Sequence, residues 1–244
     1  MIMHDYSLHQ IFAEKMGQGM AYLKCMPHRI LCIGTDGGAS REVLKKICPN
    51  AEIDYLENNE DKIAQEMAYI KSQQNLLQRI KNKSINIFRQ PEHIQKNYYD
   101  CIWANMPLYS EQSFQQWADY TLENGVLFFC TAGNQTLKEN PDLFKQNIPD
   151  MHDLGDIIQH NNWTDTVVDS ENYTLTYETS NALINDIKTL GLNNDIDEQK
   201  IIQIFSGSLK NISLEIIYAH AIKRFRQPET EKVVQFYKKN PYRE

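Results

Sequence analysis

Apolar residues at Leu8, Ile11, Phe12, Met16, Met20 and Leu23 recur at three- to four-residue intervals, which predicts a helix over 8–24. Residues 29–33, RILCI, form a continuous apolar run that reads as a buried strand ended by Gly34. Helical spacing returns over 40–48 with Val43, Leu44 and Ile47 inward, and Pro49 stops it. A second strand is expected at 53–56 and a long helix at 61–80 through Ile63, Met67, Ile70, Leu76, Leu77 and Ile80. Strands follow at 85–88 and 99–104, then a helix at 114–122 and a fifth strand at 126–131. Near-continuous apolar strands between amphipathic helices predict a mostly parallel sheet covered on both faces.

The last third reads differently. Residues 167–168 and 175–177 look like two short extended pieces, and helices are expected at 182–190 and 198–205. A late strand at 214–218 is expected to enter the sheet antiparallel. The reading is one α/β domain over 1–244, with a cofactor-binding core at 25–145 and a helical insertion near 180–210.

Length and composition narrow the class. With 244 residues and 41% apolar content the chain can build a sizeable core. A formal charge of −7 disfavours a general nucleic-acid binder. No apolar run reaches the ~20 residues of a membrane span, and MIMHDYSLHQ does not read as a secretory signal, so the cytoplasm is the expected location. Charge is unevenly spread: residues 223–244 hold seven Lys/Arg against Glu229, Glu231 and Glu244, a basic tail suited to an acidic partner. The five cysteines form no C-x-x-C pair, and the histidines show no metal-ligand spacing, so no metal site is expected.

The turn after the first strand holds the first candidate chemistry. Gly34, Thr35, Asp36, Gly37 and Gly38 lead into a helix whose free N–H groups suit an anion. Glu57 ends the second strand, where a carboxylate can accept both hydroxyls of a ribose. This pairing suits an adenosine-containing cofactor and leaves a dinucleotide and S-adenosylmethionine both open. The glycine spacing departs from G-x-G-x-x-G, which weighs against a nicotinamide enzyme. Further along, Asp153 is a candidate cap for the helix carrying Ile157 and Ile158.

More specific words lie downstream: PDMHDLGDII, VVDSENYTLTY and ALINDIKTLGLNN between 149 and 194, with YYDCIWANMPLYS, ENGVLFFCTAGNQTLKE and ISLEIIYAHAIK around them. In order and spacing these resemble the malonyl-acyl carrier protein O-methyltransferase family of biotin synthesis, a branch of the Rossmann-like class I S-adenosylmethionine-dependent methyltransferases. The resemblance covers roughly residues 25–222. It implies methyl transfer from S-adenosylmethionine to the free carboxylate of malonyl-acyl carrier protein. It also implies cofactor contacts at Gly34, Asp36, Gly38, Glu57, Gln90 and Asn105, with Asn105 following the fourth strand. Substrate contacts are expected at Tyr109, Lys188 and Arg224, with acyl carrier protein docking through the basic C-terminal segment.

The chain departs from the family pattern at four positions: Cys32 and Gln90 stand where acids are usual, Asp36 replaces a turn glycine, and Asn185 replaces an arginine. A carboxylate at position 36 lying ~5 Å from the cofactor's own carboxylate would repel it by about 3 kcal/mol at an effective dielectric near 20. The alternative reading is therefore a non-catalytic assembly or regulatory protein that keeps the fold with a degenerate cofactor site. No general base is expected for the enzyme, because a carboxylate acceptor is already ionised at neutral pH.

Overall fold

The computed structural model describes residues 7–73, 85–140, 143, 150–192, 198–205 and 210–224. The expected helical turns over 74–80 and the basic tail from 225 onward lie outside the described residues. Seven strands form one sheet: β1 (Arg29–Ile33), β2 (Glu52–Leu56), β3 (Ile87–Phe88), β4 (Tyr99–Asn105), β5 (Thr121–Ala132), β6 (Trp163–Tyr177) and β7 (Lys210–Lys223). Their order is β3-β2-β1-β4-β5-β7-β6. The first five pair parallel, and β7 runs antiparallel between β5 and β6.

Alternation along the strands builds the two faces. Ile30, Cys32, Cys101, Trp103, Phe128 and Cys130 point into one core, where α1 (Leu8–Met20) and α2 (Ala39–Ile47) pack. Leu31, Ile33, Ile102, Ala104, Leu127 and Phe129 point into the other. That second core is closed by α4 (Glu111–Tyr120) and α5 (Met151–His160), the latter capped by Asp150, whose carboxylate accepts from His152 and Asp153 N–H. The cap is thus three residues upstream of the expected Asp153, which sits inside the first turn. Helix α3 (Glu60–Gln73) follows β2, and α6 (Ser180–Thr189) and α7 (Glu198–Ile204) fill the expected insertion between β6 and β7.

One sequence expectation is corrected. The two short pieces at 167–168 and 175–177 are parts of a single 15-residue strand, β6, and the late strand runs 14 residues. Strand β6 is one sheet edge, its burial alternating apart from a break at Ser170 and Glu171, so polar residues such as Asp169 and Glu171 interrupt its apolar run. A register shift between Thr164 and Val167, with Asp165 at φ 50°, marks a bulge. Bulges and edge charges of this kind discourage pairing with another sheet.

The strand order reverses between β1 and β4. Crossovers from these neighbours leave on opposite sides, opening a crevice at their carboxyl ends. Rigidity beneath it comes from an aromatic cluster in which Phe129 stands 5.0 Å from Tyr109, 5.2 Å from Phe114 and 6.0 Å from Trp117, ring centre to ring centre. Phe129→Ala is expected to cost about 3–5 kcal/mol through lost burial and the cavity left behind. The check is urea unfolding, with a lower midpoint at unchanged slope.

Candidate functional site

The chain leaves β1 through Gly34, Gly37 and Gly38 at φ 83°, 67° and 97°, a left-handed path that side chains resist. A Cβ on Gly37 would meet nothing within 4 Å, and one on Gly34 only Glu57 Oε2 at 4.0 Å, so this face of the turn is open. Gly38 is different: a Cβ there would lie 2.2 Å from the Tyr69 ring, which packs α3 directly onto the start of α2. Glu57 closes the loop after β2. Its Oε2 accepts from Thr35 N–H at 3.2 Å, and its Oε1 accepts from the N–H groups of Asn58 and Asn59, both at 2.9 Å. Gln90 is exposed and lies two residues beyond β3, whose Phe88 carbonyl accepts from Glu57 N–H. The predicted positions Gly34, Glu57 and Gln90 therefore line one edge of the crevice.

Asp36 turns the other way. Its carboxylate accepts from Ser40 N–H at 3.0 Å, from the Ser40 hydroxyl at 2.5 Å and from Asn105 Nδ2 at 2.8 Å. Asn105 Nδ2 also donates to the His9 carbonyl at 3.0 Å, and Asn105 Oδ1 accepts from the Cys130 thiol at 3.2 Å. Trp103 Nε1 donates to Ser40 Oγ at 2.7 Å. One buried network thus ties α1, the β1 turn, β4 and β5 together. The His9 ring continues it through Nε2 to the Thr189 carbonyl, 3.2 Å away, while its buried Nδ1 has no hydrogen-bond partner.

Sequence reasoning missed Glu66. This buried side chain on α3 accepts from Gly38 N–H and from the Tyr55 hydroxyl, each at 2.8 Å. Burial, and then the nearby Asp36 charge, push its carboxyl above the usual range. Burial first, then Asp36 and Glu66, hold the Cys32 thiol protonated. A carboxylate at position 32 would face both acids, so Glu66 serves the turn from α3 and an apolar thiol fills the strand. No spacing in the sequence marks Glu66, because its helix pattern alone suits an apolar residue at that turn.

Beyond Asn105 the backbone swings through Met106 at φ 53° into the segment 107–110. Here a cavity of about 830 Å³ opens at the carboxyl ends of β4 and β5. Tyr109, Thr131, Asp156, His160, Asn161 and Gly191 are among its walls. Tyr109 is hydrogen-bonded with Thr131, and burial raises its pKa, so its hydroxyl stays protonated. Glu111, Asp153 and Asp156 bring carboxylates to the rim, and no Lys or Arg is among the described lining residues. Of the expected substrate contacts, only Tyr109 reaches this cavity. Lys188 is exposed and paired with Glu198. Arg224 pairs with Asp165 at 3.0 Å, beside Lys223, which donates to Asn97 and Thr121 at the opposite ends of β4 and β5. That is roughly 20 Å away at ~3.3 Å per strand residue. Among the described residues no His/Cys/Asp/Glu cluster suits a metal, and no helix is long and apolar enough to cross a membrane.

The walls of the cavity coincide with segments that carry the sequence resemblance. The chain is similar to the malonyl-[acyl-carrier protein] O-methyltransferases. That of Gallionella capsiferriformans is 25% identical over 192 residues, covering 74% of this chain and 66% of the relative. That of Legionella pneumophila is 26% identical over 196 residues, with the same coverage of 74% and 66%. A shorter stretch of the Coxiella burnetii enzyme is 34% identical over 105 residues, 39% of this chain and 37% of the relative. The matched stretches thus span less than two thirds of these relatives' own lengths. No family model matches the chain. Its architecture is the Rossmann-like methyltransferase fold. It superposes on the YcgJ protein of Bacillus subtilis with a TM-score of 0.59 at 12% identity, over 86% of this chain and 98% of that one. A putative methyltransferase from Bacillus halodurans gives 0.58 at 12% identity, over 87% and 99%.

Glu66 offers a direct test of the turn's electrostatics. Its raised pKa means the folded state keeps this proton to higher pH than the unfolded chain, whose value is about 4.3. Its stabilising contribution is full below the unfolded value and is lost as pH rises through the folded one. Glu66→Gln keeps an acceptor for Gly38 and abolishes that loss. Thermal melting from about pH 4 to pH 8 should show the variant gaining on the native chain as pH rises.

Proposed function

We propose that the protein transfers a methyl group from S-adenosylmethionine to the free carboxylate of malonyl-acyl carrier protein, the step that masks this charge in biotin synthesis. One observation carries the reading. The words PDMHDLGDII and ALINDIKTLGLNN, distant in sequence, meet at one cavity with the residues following Asn105. The relatives' names supply the reaction, and the open turn beside that cavity supports the cofactor.

The residues present suit the nucleoside half of S-adenosylmethionine. Gly34 and Gly37 leave space above the turn, Glu57 presents an acceptor at its edge, and Gln90 offers an amide to a base. S-adenosylmethionine, when bound, supplies an electrophilic methyl group. Asn105, with its side chain fully engaged, holds the β1 and β4 loops in register. Tyr109, braced against Phe114 and Phe129, presents a protonated hydroxyl to the acceptor carboxylate, joined by Ser110 and Asn161. The acceptor arrives ionised, so these residues orient it without removing a proton. The carrier docks on the basic segment that begins at Lys223, and the protein works in the cytoplasm.

The test combines purified protein, S-adenosylmethionine and malonyl-acyl carrier protein, with mass spectrometry of the carrier. A methyl ester should accumulate in step with the demethylated donor. Tyr109→Phe should lower kcat/KM about tenfold, or ~1.4 kcal/mol of transition-state stabilisation. An absence of ester with enzyme equimolar to carrier would overturn the proposal. A second reading, a non-catalytic assembly or regulatory protein of the same fold, is favoured by the Asp36 carboxylate lying on Ser40 and Asn105. It predicts neither ester nor nucleoside binding.

A further inference from the structure

The N–H groups opening α2 are the anion seat of this turn, because a helix N-terminus concentrates unpaired donors and a positive dipole. The chain fills that seat itself. Asp36 takes the Ser40 N–H and hydroxyl, Glu66 takes the Gly38 N–H, and Asn105 gives its amide to Asp36. Asp36 is only half buried, so it meets solvent as well as the network. A few residues away, Gly34 and Gly37 stand over open space and Glu57 sits at the edge. The two halves of the turn therefore differ in kind: an open half suited to a sugar hydroxyl pair, and a half already occupied by negative charge.

We propose that Asp36 sets which adenosyl ligands this turn accepts, disfavouring a nucleoside whose tail carries a carboxylate against one whose tail does not. The inference rests on the adenosyl reading above and deepens it: S-adenosylmethionine, whose own tail carries a carboxylate, is held through its nucleoside and binds weakly. The nucleoside end supplies most of the affinity, and an amino-acid tail must either displace Asp36 from Ser40 or lie against its charge. Binding energy that other tails would gain from α2 is spent inside the protein on holding α1, β1, β4 and β5 together.

The full-length chain is titrated calorimetrically with two probes, S-adenosylhomocysteine and 5′-methylthioadenosine. These share the adenosine and its thioether, and only the first carries the amino-acid tail. The native chain should bind methylthioadenosine at least as tightly as S-adenosylhomocysteine. Asp36→Asn keeps an acceptor for Ser40 and removes the charge, whereas Asp36→Gly also clears the seat. Both should tighten S-adenosylhomocysteine at least tenfold, about 1.4 kcal/mol, and move methylthioadenosine less than threefold. The comparison of probes on the native chain needs no variant, so it stands even if a substitution impairs folding. A native chain preferring S-adenosylhomocysteine tenfold, or variants that leave the ratio unchanged, would overturn the inference. Weaker S-adenosylhomocysteine binding in Asp36→Asn would do so too, since it would make Asp36 a partner for the tail's ammonium. Binding of neither probe to any of the three proteins would instead remove the adenosyl reading itself, and this inference with it.

Discussion

A buried hydrogen-bond network at the point where strand order reverses governs this molecule. Asp36, Ser40, Asn105, Trp103, Cys130 and the His9 carbonyl join the carboxyl ends of β1, β4 and β5 to the first helix. Parallel strands of an open sheet have no covalent reason to keep their terminal loops in register. Here a single amide, Asn105, supplies it: its N–H groups donate to the His9 carbonyl and to Asp36, and its oxygen accepts from the Cys130 thiol. Such a network stabilises only while every member is satisfied, since a buried polar group left alone costs more than a made bond returns. The crevice on one side and the cavity on the other inherit their shape from it.

The sequence exposes the frame of this arrangement and hides its joints. Strand β1 and the later part of β5 are buried on both faces, so each leaves an apolar run, and the 29–33 strand is legible to the residue. Edge strand β6 is half solvated, and its alternating polar residues break the run that would announce 15 residues of strand. The turn's glycines are legible because only their backbone freedom suits φ above zero. Glu66 is invisible because the partner that gives it meaning, Gly38 N–H, lies 28 residues earlier. Likewise, Lys188 stands out by the family resemblance and Arg224 by its charge, yet position in the fold commits each to a local carboxylate. Tyr109 is the exception: it follows the fourth strand closely enough for strand topology to place it.

The replacement of the usual acid by Cys32 follows from the same electrostatics. Three carboxylates around one helix start would each raise the others' pKa, and one or more would be protonated at neutral pH. A thiol raised by burial and by its two acidic neighbours carries no charge and packs beside Trp103 and Cys101 in the same core. With its buried acid on α3, the turn depends on that helix. Glu66 and the Tyr69 ring both arrive from α3, so the conformation of Gly38 is held by a helix that also follows Glu57 in the chain. The geometry of the open edge and of the filled seat are therefore coupled through one element.

The described walls of the cavity carry neutral donors and rim acids, and these bear on the carboxylate methylation proposed above. When a carboxylate attacks a sulfonium carbon, opposite charges cancel as the bond forms, so the transition state carries less charge than the ground state. A cation fixed on the carboxylate would stabilise the ground state more, and would raise the barrier. Neutral donors such as the Tyr109 hydroxyl, braced by Phe114 and Phe129, orient the nucleophile at smaller cost to its reactivity. The rim acids Glu111, Asp153 and Asp156 act in the same direction, raising the energy of a bound anion relative to the uncharged ester. In the proposed reaction, holding the ionised acceptor falls to its tether, a carrier docked away from the reacting atoms, where basic residues attract it without quenching the attack.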